Sequence, residues 1–203
     1  MVNPAKVLVI NGSYRDDGIT DQAVEVTVEA LNDAGAEAEI INLRDYPIEF
    51  CLNCRECTQQ PGTSPGECVL DDGMHALIDK IETSDAYIFA SPTNFDSVTA
   101  IFKRFMERLL VYAYWPWDQP YPKFRKLGMT RKKALLISSS AAPSWLGRWM
   151  FGTSKQLNMI AKIIGADSIG TLFTGLASTE KHKRLPQKAV DRARLLAGKL
   201  VSA

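Results

Sequence analysis

Five short runs of β-branched and aliphatic residues, each separated from the next by a stretch with helical spacing, constrain this chain more than any other feature. The first, Lys6–Asn11 (KVLVIN), is apolar without alternation and stops at Gly12, the pattern of a strand covered on both faces. Thr20–Ala34 then sets Ala23, Val24, Val28 and Leu31 on one helical stripe, with Thr20 as N-cap and Gly35 as terminator. Ala38–Leu43 completes a βαβ unit, whose crossover should be right-handed. The alternation continues with a helix over Asp72–Glu82 capped by Asp71 or Asp72, a strand at Ala86–Ala90, and a helix over Val98–Tyr114. It closes with a strand at Ala134–Ser138, a helix over Met150–Gly165, a strand at Ser168–Phe173 and a helix over Pro186–Val201. This order predicts an α/β fold: a doubly wound, five-stranded parallel sheet in a three-layer α/β/α sandwich, with ligands at the carboxyl ends of the strands.

The 203 residues suffice for one substantial core, so a single domain is expected over 1–203. Two irregular stretches interrupt it: a cysteine-containing loop at 44–72 and an aromatic excursion at 112–130, where Pro116, Pro120 and Pro122 forbid helix. A formal charge of +1 removes the electrostatic argument for nucleic acid or an anionic membrane as partner, and a small-molecule partner is expected instead. No apolar run approaches the roughly 20 residues of a membrane span, and Met1–Ala5 leads into the first strand without a basic signal-peptide region, so the expectation is cytoplasmic.

The loop Gly12–Thr20 joins a buried strand to a helix amino terminus, where free N–H groups and the helix dipole favour a phosphate. Ser13 and Thr20 offer hydroxyls and Arg15 a guanidinium; the same residues also suit an ordinary capped turn. The spacing is neither the dinucleotide fingerprint nor the nucleoside-triphosphate loop, whose lysine is missing.

Gly12-Ser13-x-Arg15, a cysteine cluster ahead of Asp71-Asp72, Ser91-Pro92-Thr93 and Lys103-x-Phe105-x-x-Arg108 follow one another in an order that resembles the NADPH-dependent FMN reductase-like proteins of the flavodoxin-like superfamily. The resemblance carries motifs from Lys6 to Arg108 and element order from there to the end. It implies an FMN whose phosphate rests on Ser13, Arg15, Gly18, Ile19 and Thr20. Its ring would lie against Pro92, Thr93, Asn94 and Phe95, with Ser139, Ser140 and Ala141 on the far side. Amide N–H groups near Thr93 and Asn94 would bond the flavin's polar edge and set its potential. Two departures are Asn94, where similar proteins often have an aromatic residue, and Asp17, a carboxylate close to the phosphate site.

All four cysteines lie between Cys51 and Cys68, in the spacing C-x2-C-x2-C-x10-C over Cys51, Cys54, Cys57 and Cys68. Three thiolates at that interval with a distant fourth can ligate one 4Fe-4S cluster, and the pattern resembles that of the iron-sulfur flavoproteins, whose last gap is usually shorter. Zinc lacks the second short pair it normally uses, and a redox pair at Cys54 and Cys57 lacks a helix amino terminus. Reduced thiols shaping a loop remain the other reading.

His75 and His182 read as surface residues, and Ser138-Ser139-Ser140 lacks the turn of a hydrolase nucleophile. The aromatics Tyr112, Tyr114, Trp115, Trp117, Tyr121 and Phe124, joined by Trp145, Trp149 and Phe151, read as a lid or subunit contact, favouring a homodimer or homotetramer; a satellite core is the alternative. The expected function is an FMN-dependent oxidoreductase that takes hydride from NAD(P)H and reduces a quinone, flavin or other acceptor, with no catalytic side chain implied. The alternatives are an iron-sulfur electron-transfer protein serving a redox protein partner, and a cofactor-free scaffold that binds a protein.

Overall fold

The computed structural model describes residues 3–202. Strands β1 (Lys6–Asn11), β2 (Glu37–Asn42), β3 (Ala86–Pro92), β6 (Lys132–Ser139) and β7 (Ala166–Thr174) form a parallel sheet in the order β2-β1-β3-β6-β7. The unbroken apolar runs follow from the pleat, which sends successive side chains to opposite faces. Leu8, Ile10, Tyr87, Phe89 and Leu136 enter a core shared with α2 (Met74–Thr83), α3 (Ala100–Arg108) and α5 (Thr153–Ile163). Val7, Val9, Ile88, Leu135 and Ile137 enter a second core shared with α1 (Ile19–Asp33) and α6 (Gln187–Val201). Helix α1 ends as its glycine predicts: Gly35, at φ 81°, lets Ala36 N–H reach Leu31 O at 3.0 Å and Gly35 N–H reach Asn32 O at 2.9 Å.

Four boundaries differ from those expected. The helix over Val98–Tyr114 stops at Arg108; Leu109–Tyr112 is a 3-10 turn, and Ala113–Tyr114 (β4) pairs antiparallel with Lys123–Phe124 (β5). Pro116 disfavours helix upstream of it, and the freed Tyr112 carbonyl accepts from Arg125 N–H at 2.8 Å. The helix expected over Met150–Gly165 is shorter, and a separate helix not expected from the sequence, Ser144–Met150 (α4), precedes it and ends where Phe151 becomes extended; α5 starts at Thr153, with Gly152 N–H held by Asp96, at 3.0 Å from its carbonyl and 2.9 Å from its carboxylate. Gly18, not Thr20, holds the N-cap position of α1, and Gly73 holds that of α2, whose first amide, Met74 N–H, is met by the Asp72 carboxylate at 2.9 Å. Of the aromatic excursion, Tyr112 is core, fully buried, whereas Trp117 and Tyr121 are exposed.

The strand order reverses between β1 and β3, where one crossover leads outward to β2 and the rest lead the other way. Crevices form at such a switch point, at the carboxyl ends of the strands. Here Gly12 N–H bonds Ala90 O at 2.8 Å, and Gly12 lies so close to α3 that a Cβ would stand 2.6 Å from Phe102 Cδ2 and 2.8 Å from Phe102 Cβ. Gly12→Ala is therefore expected to destabilise the protein by about 1–3 kcal/mol, because Phe102 is fully buried and cannot move aside. Urea unfolding at unchanged m-value measures it; an unaltered midpoint would contradict the packing described.

Candidate functional site

A cleft of about 330 Å³ opens at the switch point. Its first wall is the loop after β1, and a polar network beneath holds that loop. Asn11 Nδ2 donates to Asp21 Oδ1 at 2.8 Å and to Asn42 Oδ1 at 2.9 Å, while Asn11 Oδ1 accepts from Ser13 N–H at 3.0 Å. Arg44 donates to Ser13 O at 3.1 Å and pairs with Asp16 at 2.5 Å and Asp21 at 3.2 Å. Asp17, whose carboxylate stood near the expected phosphate, instead pairs with Arg184 at 3.3 Å. Each loop carboxylate thus faces a cation. Helix α1 has no side-chain cap, and its first internal bond runs from Gln22 N–H to Gly18 O at 2.9 Å. The N–H groups of Ile19 and Thr20 precede that bond and are left for an anion.

Ser13, Arg15, Gly18, Ile19 and Thr20 all line the cleft, as do Pro92, Thr93 and Asn94 from the end of β3 and Ser139, Ser140 and Ala141 from the end of β6. Thr20 Oγ1 and Ser139 Oγ lie 2.9 Å apart and tie the first wall to the third. Phe95 does not line it. Asn94 and Ser97 form an isolated bridge across a tight turn in which Phe95 (φ 46°) and Asp96 (φ 65°) are both left-handed, so the ring is carried out into solvent. The amides expected to meet a ligand are also otherwise engaged: Thr93 N–H donates to Ser139 O at 2.7 Å and Asn94 N–H to Ser97 O at 2.9 Å. These bonds brace the wall. Ligand recognition there falls to side chains and to backbone elsewhere in the cleft.

Four lining residues went unrecognised in the sequence: Tyr14, Thr99, Ala177 and Ser178. Thr99 had a legible signal as the N-cap of α3; its Oγ1 donates to Gly12 O at 2.7 Å and accepts from Phe102 N–H. Ala177 and Ser178 had none, since long-range bonds from Leu176 N–H to Ala142 O at 3.0 Å and from Ala177 N–H to Ser140 O at 2.9 Å bring the loop after β7 to the cleft.

The cysteines gather elsewhere. Cys51, Cys54, Cys57 and Cys68 are half-buried, none is in a disulfide, and all four line one small pocket with Leu52, Val69, Leu70 and Leu110. Left-handed Asn53 (φ 54°) and Arg55 (φ 63°) coil the first three together. The long gap to Cys68 closes by backbone contact: Gly66 N–H bonds Val111 O at 2.8 Å, and Gly66 packs so tightly that a Cβ would stand 1.8 Å from Cys57 O. Arg125 fastens the same turn, donating to Cys57 O and Gly62 O, each at 3.2 Å. Arg55 lies over the rings of Trp115 and Trp117, 3.8 and 4.4 Å from their centroids, and anchors the loop to the aromatic excursion. His75 is exposed, with Nε2 3.2 Å from Cys68 O. Burial, reinforced by the other three cysteines, pushes the Cys57 thiol up to about 11.

Among the described residues no three His, Cys, Asp or Glu side chains converge on a single metal ion, which leaves the zinc reading without a ligand set. A four-iron cluster takes one thiolate per iron, so it calls for thiols spaced around a common pocket, and this donor set fits that description.

Asp72 and Arg108 stand beside the pocket, Arg108 Nη2 donating to Cys68 Sγ at 3.4 Å. Burial alone would raise the Asp72 carboxyl, but hydrogen bonds from Arg108 and from the Glu49 and Met74 amides, with the Arg108 charge, outweigh it and hold the group at about 2 against an ordinary 3.8. Arg108 in turn stays firmly charged: burial opposes its charge, and Asp72 and Cys68 more than restore it.

A 2-1-3-4-5 parallel sheet with a cleft at its switch point defines a flavodoxin-like α/β protein. Residues 5–165 match the model of the NADPH-dependent FMN reductase family, and the chain belongs to that family. An iron-sulfur flavoprotein of Archaeoglobus fulgidus is 36% identical over 103 residues, which are 51% of this chain and 48% of that protein, so the chain spans about half the length of this relative. A Bacillus subtilis protein named as an NAD(P)H-dependent FMN-containing oxidoreductase is 30% identical over 133 residues, 66% of this chain and 65% of the relative. Among solved structures, the NAD(P)H:quinone oxidoreductase of Methanothermobacter marburgensis superposes with a TM-score of 0.73 at 16% identity, covering 97% of this chain and 99% of that one, a likeness of fold.

The depressed Asp72 carboxyl links folding to pH. Its contribution, roughly 2 kcal/mol, is complete above about pH 4, near the unfolded value, and is lost as pH falls through about 2. In Asp72→Asn the stability measured by urea unfolding between pH 4 and pH 2 is expected to fall less steeply than in the parent. Equal slopes would contradict the assignment.

Proposed function

We propose that the chain is an FMN-dependent oxidoreductase that accepts hydride from NAD(P)H and passes reducing equivalents to a quinone, flavin or other small acceptor. The observation that carries this reading is the uncapped start of α1 facing a switch-point cleft from which every neighbouring carboxylate is turned away by a cation. The family to which the chain belongs supports it. Bound FMN supplies a hydride acceptor and a donor of single or paired electrons. Ser13, Arg15, Gly18, Ile19 and Thr20 would hold the phosphate, through helix N–H groups, hydroxyls and one guanidinium. Pro92, Thr93, Asn94, Ser139, Ser140 and Ala141 would flank the ring, kept in place by the Thr93–Ser139 and Thr20–Ser139 bonds. The residues orient the cofactor and exclude water, and none is assigned a proton transfer. Exposed Trp145, Trp149 and Phe95 are taken as a contact for a second copy, in a homodimer or homotetramer.

The test is the visible spectrum of anaerobically purified protein. Two flavin bands that bleach on addition of NADPH are expected, with parallel double-reciprocal lines against a quinone; a colourless protein that FMN cannot reconstitute would defeat the reading. Arg15→Glu places a carboxylate in the cleft and should weaken FMN binding about tenfold or more in a fluorescence titration.

A second reading is favoured by the single pocket shared by all four cysteines and by the iron-sulfur flavoprotein relative. In it the chain is an electron-transfer protein in which Cys51, Cys54, Cys57 and Cys68 hold a 4Fe-4S cluster, which supplies one-electron exchange with a redox protein partner. Cys54→Ala is then expected to lose iron and acid-labile sulfide while keeping FMN. Unchanged iron would overturn the ligand assignment.

A further inference from the structure

Arg108 stands where the two sites meet. It is the last residue of α3, the helix whose N-cap Thr99 bonds the loop beneath the flavin cleft through Gly12 O, so one rigid element of nine residues runs from the cleft to the cysteine pocket. The Arg108 side chain is 1% exposed. Its guanidinium donates to both carboxylate oxygens of Asp72, at 2.5 and 3.0 Å, and to Glu49 O at 2.9 Å. One further bond goes to sulfur: Nη2 donates to Cys68 Sγ at 3.4 Å.

That last contact is not needed to satisfy Asp72, which also accepts from Glu49 N–H at 2.7 Å and Met74 N–H at 2.9 Å. It sets a permanent, desolvated positive charge against one sulfur of the four. Arg55, which lines the pocket, and Arg125 beside it bond carbonyls and no sulfur: Arg125 those of Cys57, Gly62 and Val111, and Arg55 those of Trp115 and Pro116.

We propose that Arg108 is a positioning residue that raises the reduction potential of a thiolate-held iron-sulfur cluster through its hydrogen bond to Cys68 Sγ, with Asp72 partly cancelling its charge. The proposal rests on the second reading above. Reducing the cluster adds one electron, taken from flavin in the protein or from dithionite in a titration, and breaks no bond. The added negative charge is stabilised by a nearby cation and opposed by a nearby carboxylate, strongly so where water is excluded. Arg108 and Asp72 must therefore act with opposite sign.

The experiment is an anaerobic redox titration of the whole chain, following the cluster by electron paramagnetic resonance and the flavin by absorbance. The cluster midpoint is expected to fall in Arg108→Gln, to lie nearer the parent value in Arg108→Lys, and to rise in Asp72→Asn. Cluster midpoints that stay at the parent value, or that move in one direction in both Arg108→Gln and Asp72→Asn, would overturn the proposal while leaving the cluster in place. A parent protein without iron and acid-labile sulfide would overturn it together with the second reading. Where Arg108→Gln does not fold, the rise in Asp72→Asn and the lysine variant decide.

Discussion

Because β1, β3 and β6 are covered on both faces, each crossover between parallel strands has to be a helix, and each helix has to begin at the carboxyl edge of the sheet. That constraint organises the molecule. It divides the strand residues between two cores, so that Val7 and Val9 serve α1 and α6 while Leu8 and Ile10 serve α2, α3 and α5. It also brings the starts of α1 and α3 to the same edge, where reversal of strand order leaves a crevice that neither helix fills.

The cleft and the cysteine pocket are built by different means. The cleft is made of backbone at strand ends, braced by short bonds between Ser, Thr and Asn side chains, and its shape depends on Gly12 admitting Phe102. The pocket lies in a segment with almost no regular structure, where cations do the work that a sheet does elsewhere. Arg125 gathers three carbonyls, Arg55 stacks on two tryptophans, and Arg108 pairs with Asp72 under Cys68. The Arg108–Asp72 pair is buried, so removing one partner alone would leave the other charge uncompensated, and the pair fixes geometry.

Most of the fold was legible because its signals are local. The strand runs, the stripe of α1 and its glycine stop need only neighbours along the chain. Ser13, Arg15 and Thr20 of the first cleft wall were legible in the strand-to-helix loop itself, whereas Pro92, Thr93, Asn94, Ser139, Ser140 and Ala141 were implied only by the family resemblance. The misreadings each involve a competing long-range partner. Val98–Tyr114 has helical spacing throughout, yet its last residues go to a 3-10 turn and a hairpin because Tyr112 O finds Arg125 N–H. Phe95 follows three cleft residues but is lifted out by a left-handed turn, and the Thr93 and Asn94 amides were spent inside the wall.

By itself the sequence determined the alternation of strand and helix, the loop chemistry after β1, and a set of four thiols at cluster spacing, all of which are properties of contiguous residues. Tertiary structure alone decided that Ala177 and Ser178 join the cleft, that Gly66 bridges a ten-residue gap by packing on Cys57 O, and that Arg108 reaches across forty positions to Cys68. The reason is that a buried hydrogen-bonding group takes whichever partner the folded chain brings within about 3 Å, and sequence separation has no influence on that choice.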